Sequence, residues 1–142
     1  MERSLAGLLI LAVLAGAAGC KSTGPAGGAQ SQGLAVSATY RTADVPVPTR
    51  FTLDESVSFQ VESPLIVHHV YRAFRVPRRH VVRFYRDQMP VARWQPIGRV
   101  DAGGVRLLVF ERDGQKCLIH IKRSFRFWTR LKIEVVGPAA GP

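Results

Sequence analysis

Four runs of alternating apolar residues, broken at Gly103-Gly104 and Asp113-Gly114, constrain this chain more than any other feature of its sequence. They cover Arg93 to Val100, Val105 to Glu111, Lys116 to Arg123 and Phe127 to Val136. A period of two is the signature of a half-buried strand, and paired turn residues join neighbouring strands antiparallel. The loop length at Asp113-Gly114 then decides which side chains share a face, because a one-residue slip turns a whole strand over. With a two-residue loop, Leu108 and Phe110 lie beside Cys117 and Ile119. With a three-residue loop, Arg112-Asp113-Gly114 carrying a bulge, Val105, Leu107 and Val109 join Cys117, Ile119 and Ile121. The second register makes one continuous apolar face, which Leu131, Ile133 and Val135 extend, and it is the expected one.

Upstream, Phe51, Leu53, Val57, Phe59 and Val61 point to a short strand or pair of strands, and Leu65 to Phe74 to the next, with Ser63-Pro64 as the turn. Val76-Pro77 starts a helix, since Pro suits a first helical turn, and Pro90 stops it. Val81, Phe84, Tyr85 and Met89 fall on one side of that helix, while Arg78, Arg79, Arg83 and Arg86 fall elsewhere. Trp94 closes one end of the core. The expected architecture is α+β, one helix packed on a mainly antiparallel sheet of about 5–6 strands, preceded by a disordered tether. The folded unit spans 44–136, roughly 90 residues, enough for one modest core. Residues 20–43 read as a flexible linker rich in Gly, Ala, Ser, Thr and Gln, with docking of Val36 and Tyr40 on the domain as the alternative. Residues 137–142 read as a disordered tail.

The amino terminus has a different character. After Arg3, the stretch Leu5 to Ala18 contains only Leu, Ile, Val, Ala and Gly, and it is short for a bilayer span but suited to an export signal. It ends in Leu14-Ala15-Gly16-Ala17-Ala18-Gly19-Cys20, which resembles the lipobox of bacterial lipoproteins. The resemblance implies that residues 1–19 are a cleaved signal peptide and that the Cys20 thiol takes a diacylglyceryl group. The new amine is then acylated, typically with palmitate, which anchors the protein in a membrane of the bacterial cell envelope, facing the periplasm. An ordinary signal cut after a small residue would instead leave Cys20 as a free thiol. Cys20 and Cys117 are the only cysteines. If Cys20 carries lipid, Cys117 has no intrachain partner and is most simply a small buried hydrophobe. The segments Asp44 to Phe51, Phe84 to Pro90 with Trp94, and Phe110 to Gly114 with Cys117 are also similar to a family of small bacterial lipoproteins of undetermined activity. That similarity implies no catalytic or binding residues.

The chain carries a formal charge of +10, and Arg50 to Val136 holds 17 basic residues against 8 acidic. Such a field attracts polyanions. An export signal shifts the expected partner from nucleic acid to anionic lipid, an acidic glycan or an acidic envelope protein. In the expected register the face away from the helix carries Arg106, Phe110, Arg112, Lys116, His120, Lys122, Trp128, Arg130 and Lys132, a candidate binding face of cations interleaved with rings. Covering of its apolar members by the N-terminal strands or a second copy, or plain solvated charge, are the alternatives.

Catalytic and metal chemistry are not expected. His68-His69 point to opposite sides of a strand, and His80 and His120 have no zinc-ligand spacing. Ser58 and Ser124 lack a nucleophile elbow, Glu111 and Asp113 flank a turn, and phosphate-binding glycine loops are absent. No cofactor follows from the residues. The expected function is non-enzymatic: a lipid-anchored envelope protein that binds or scaffolds an anionic component, or alternatively an assembly subunit that pairs with another envelope protein through its sheet.

Overall fold

Asp113 and Gly114 both adopt left-handed backbone, with φ of 50° and 75°, and Arg112 pairs directly with Gln115 across them. Two consecutive positive φ values make the tight two-residue hairpin whose twist matches its strands. The connection is therefore two residues long, not three. Leu108 pairs with Ile119 and Phe110 with Cys117, so Leu108 and Phe110 enter the core while Leu107 and Val109 face the other side. This corrects the three-residue register. Asp-Gly satisfies a two-residue turn without a bulge, and exchanging Val109 for Phe110 puts the larger side chain under cover.

The computed structural model describes residues 33–138, so the signal segment, Cys20, most of the linker and residues 139–142 lie outside the described residues. A hairpin comes first, β1 (Val36–Thr42) and β2 (Val45–Pro48). Then follow β3 (Thr52–Leu53), β4 (Phe59–Val61), β5 (Ile66–Phe74), helix α1 (Arg78–Gln88), β6 (Gln95–Ala102), β7 (Val105–Arg112), β8 (Gln115–Ser124) and β9 (Trp128–Val136). The main sheet has seven strands in the order β3-β5-β9-β8-β7-β6, with β4 also pairing with β5. All its pairings are antiparallel. The α+β architecture is as expected; the strand number is higher because the upstream residues divide into β3 and β4 along one edge of β5.

Residues 36–42 were expected in the linker, but they form β1. Its last residue, Thr42, is fully buried, and its hydroxyl lies 2.6 Å from the Tyr71 hydroxyl and 2.9 Å from His69 Nδ1. Ser37 is also buried, whereas Val36 is exposed. The hairpin is thus tied to β5 by a polar contact that an apolar pattern does not signal. At the other end, Gly137, expected in the tail, donates its N–H to Leu65 O at 3.0 Å and so is held against the start of β5.

One face of the sheet is covered. Val81, Val82, Phe84, Tyr85 and Met89 of α1 pack with Val45 and Val47 of β2 against Tyr71, Ile119, Ile121, Leu131, Ile133 and Val135. Trp94 is fully buried at the end of this core, as expected. Pro77 stands just before the helix with an extended ψ of 136°, and Met89 closes it ahead of Pro90. Among the described residues no helix is long and apolar enough to cross a membrane.

The two possible registers make opposite demands on neighbouring side chains. Phe110→Ala empties a core position and is expected to cost about 3–5 kcal/mol, whereas Val109→Ala on the open side costs less than about 1 kcal/mol. Urea unfolding of the two variants measures both, and the reverse ranking would reinstate the three-residue loop.

Candidate functional site

The corrected register divides the expected binding face in two. Lys116, His120, Lys122, Trp128, Arg130 and Lys132 lie on the open side of the sheet, together with β5 residues His68 and Arg72. Arg106, Phe110 and Arg112 do not. They alternate with Leu107, Val109 and Glu111 and therefore point to the helix side. There Phe110 is buried in the core. Arg112 lies over the Trp94 ring at 4.6 Å, donates to Ala92 O at 3.2 Å and reaches Asp44 Oδ2 at 3.3 Å. It ties β7 to the β1–β2 turn and the loop after α1, which is a packing role. Arg106 is ion-paired with Asp101, which also meets Arg99 at 3.2 Å.

The middle of the open face is electrically satisfied. Glu134 lies 2.9 Å from Lys132 Nζ, 2.8 Å from His120 Nε2 and 3.1 Å from His68 Nδ1, and the Phe59 ring stacks on His68 at 5.0 Å. The His120 contact has an ion-pair distance without the alignment of a hydrogen bond. Partial burial opposes the charge of Glu134, but Lys132 and the two imidazoles outweigh it and hold the carboxyl below its usual range. Burial, reinforced by Lys132, lowers His120 in turn against the pull of Glu134. The two histidines approach different oxygens of one carboxylate, so the carboxylate fills the place a shared ion would take. Among the described residues no group of three or more His, Cys, Asp or Glu has metal-holding geometry.

Unsatisfied charge is concentrated at one end of the sheet. Arg72 pairs with Arg130 and Arg130 with Lys122, a row of three cations across β5, β9 and β8. Like charges directly opposite each other disfavour a sheet, and Asp54 offsets part of this row, 3.4 Å from Arg72 and within electrostatic reach of Arg130. Next to Lys122 opens a cleft of about 810 Å³, walled by the start of α1, the Gly103-Gly104 turn and the β8–β9 hairpin. Arg75, Arg78, Arg79, Arg106, Lys122 and Arg123 line it. Arg106 is taken by Asp101, but among the described residues none of the other five meets a carboxylate. Arg78 donates to Gly104 O at 3.0 Å and Arg123 to Arg126 O at 3.0 Å, bonds that orient the guanidinium groups without neutralising them.

Helix α1 adds to the same field. Its first turn holds Arg78, Arg79 and His80, with no acidic residue and no side-chain cap. The start of a helix has free N–H donors and a partial positive charge, so cations are unfavourable there and an anion is welcome. Helical spacing sets Arg78 and Arg79 apart from the apolar side of the helix without assigning them a site. Their position immediately after Pro77, where Asp or Glu would suit the helix better, is the signal that could have found them.

Cys117 is fully buried, and burial pushes its thiol up to about 12, which the nearby Arg112 only partly offsets. A thiolate is the reactive form. Native protein treated with a maleimide is therefore expected to show no label on the Cys117 peptide by mass spectrometry, and full label in denaturant; rapid native labelling would contradict the buried position.

The histidines give a pH dependence with a defined sign. Burial lowers His69, helped by His68, and lowers His120, each from an ordinary value of 6.5. A group with a depressed value in the folded state favours the unfolded chain when it is protonated. Stability is thus complete above 6.5 and declines as the pH falls through the folded values, with Glu134 adding a further loss in the carboxylate range. The urea midpoint measured across this range is expected to fall first in the histidine window, and the double variant His69→Asn, His120→Asn should flatten that first step. A flat midpoint down to the carboxylate range would reject the assignment.

Compared with known proteins, this chain matches no protein-family model, no curated sequence and no solved structure.

Proposed function

We propose that this protein is a non-enzymatic module of the bacterial cell envelope, held to a membrane through lipid on Cys20, that binds a phosphate-bearing or otherwise anionic envelope component. The observation that carries the reading is the cleft at the start of α1, where Arg75, Arg78, Arg79, Lys122 and Arg123 converge and, among the described residues, meet no carboxylate. Five such charges cost folding free energy through mutual repulsion, and a multivalent anion relieves that cost on binding. The cleft is open and its cations come from α1, the segment before it and β8, so it suits an extended or multivalent anion better than one small ion.

Pairing with another protein through the sheet is less well supported. The exposed edge strand β6 carries Pro96 and a break in register before Gly98, both of which discourage addition of a further strand.

Residues 32–142 form one compact unit that holds every core residue, so this part of the chain serves for binding measurements. Titration with inorganic polyphosphate is expected to show binding that weakens steeply with added salt. The double reversal Arg79→Glu, Lys122→Glu should weaken it at least about tenfold, near 1.4 kcal/mol, while Lys116→Glu, away from the cleft, changes it little. Equal loss in both variants would mean diffuse charge and no site; absence of binding at low salt would reject the reading.

A further inference from the structure

The cleft is bordered by an apolar edge that neither the core nor anion binding requires. Strand β5 ends at Phe74, and the β8–β9 hairpin turns through Phe125-Arg126-Phe127 into Trp128. Phe125 is 86% exposed, and Phe74, Phe127 and Trp128 are each nearly half exposed. Phe74 meets Trp128 at 5.3 Å and Phe127 at 6.1 Å, and Arg75 lies over both phenylalanine rings at 5.3 and 5.5 Å. Phe125 and Arg126 also hold positive φ, 24° and 29°, a conformation that side chains other than Gly and Asn rarely adopt. Contiguous exposed rings rimmed by charge are uncommon on a soluble surface unless something covers them.

From this edge we infer that the domain itself docks on a bilayer containing anionic phospholipid, through the β8–β9 tip and the adjoining cleft together. The inference rests on the proposed anion site and names its ligand as lipid headgroups. Charge complementarity selects this occupant. Arg75, Arg123 and Arg126 flank the rings, and Arg78, Arg79 and Lys122 lie just behind them, which matches the layering of an interface where acyl carbon lies beneath phosphate. Phe125 has no polar atom and stands at the apex of a hairpin. It is placed to enter an apolar layer and lacks the hydrogen-bonding groups that would read a sugar or base. Trp128, with an apolar ring and one N–H, belongs at the boundary between the two layers.

Trp128 also supplies the readout. Trp94 is fully buried, so a change in tryptophan emission on adding vesicles reports Trp128. Residues 32–142 are mixed with vesicles of phosphatidylcholine, with or without phosphatidylglycerol, and in parallel with soluble inorganic polyphosphate. Docking predicts a blue shift and quenching by brominated acyl chains only with phosphatidylglycerol present. Phe125→Ser, a residue outside the cleft, should weaken vesicle binding about tenfold and leave polyphosphate binding unchanged. Arg79→Glu with Lys122→Glu should weaken both. Vesicle binding with unchanged Trp128 emission and no effect of Phe125→Ser overturns the docking edge while leaving the anion site intact. Weaker polyphosphate binding in Phe125→Ser also overturns it, because the ring would then belong to a soluble polyanion site. Loss of neither ligand in the charge-reversed variant removes the anion site on which the inference stands.

Discussion

The pairing of Phe110 with Cys117 across a two-residue turn governs the distribution of side chains over this sheet. Once Asp113 and Gly114 take left-handed backbone, the side of every β7 residue is set, since side chains alternate strictly along a strand. Leu108 and Phe110 go under the helix, and they take Arg106 and Arg112 with them. The chain uses both arginines there, one over Trp94 and against Asp44, the other on Asp101. Neither is left to meet a ligand. The open side receives Leu107 and Val109 beside Leu118 and His120, a mixed surface on which Glu134 gathers the neighbouring cations.

Charge is consequently not spread evenly. Glu134 neutralises the middle of the open face by gathering Lys132, His120 and His68 around itself. The excess collects at the opposite end of the strands, where α1 starts, β6 turns into β7 and β8 turns into β9. The helix start disfavours the charges of Arg78 and Arg79, and the sheet disfavours Arg130 between Arg72 and Lys122. Arrangements that oppose local stability are commonest where a binding partner supplies the missing charge, and the helix-start arginines share their cleft with Lys122 and the exposed Phe127 ring.

Much of this was legible from residue order. Pro77 and Pro90 bracket α1 because proline tolerates a helix start and opposes its continuation. Val81, Tyr85 and Met89 repeat at helical spacing, and all three are buried. Gly103-Gly104 and Asp113-Gly114 marked their turns for the same reason that they make them, freedom to adopt positive φ. What misled was Val105, Leu107 and Val109, an apolar set as regular as the buried one and distinguished from it only by size and by the turn. β1 was equally hidden, because Thr42 holds it through hydroxyl contacts to His69 and Tyr71, residues 27 and 29 positions away. The cleft was legible only in part: Arg75, Arg78 and Arg79 are neighbours in the chain, but Lys122 and Arg123 join them only after the sheet forms.

Sequence alone determined helix α1, most strands of the main sheet, the α+β class, and a cationic excess that folding cannot alter. These follow from local periodicity, from proline and glycine backbone limits, and from counting charges. Only the tertiary structure decided which side of β7 faces the helix, which arginines are absorbed by packing and which remain unpaired. Those outcomes depend on contacts between residues far apart in the chain, where a choice of one residue at a single turn exchanges the buried face for the open one.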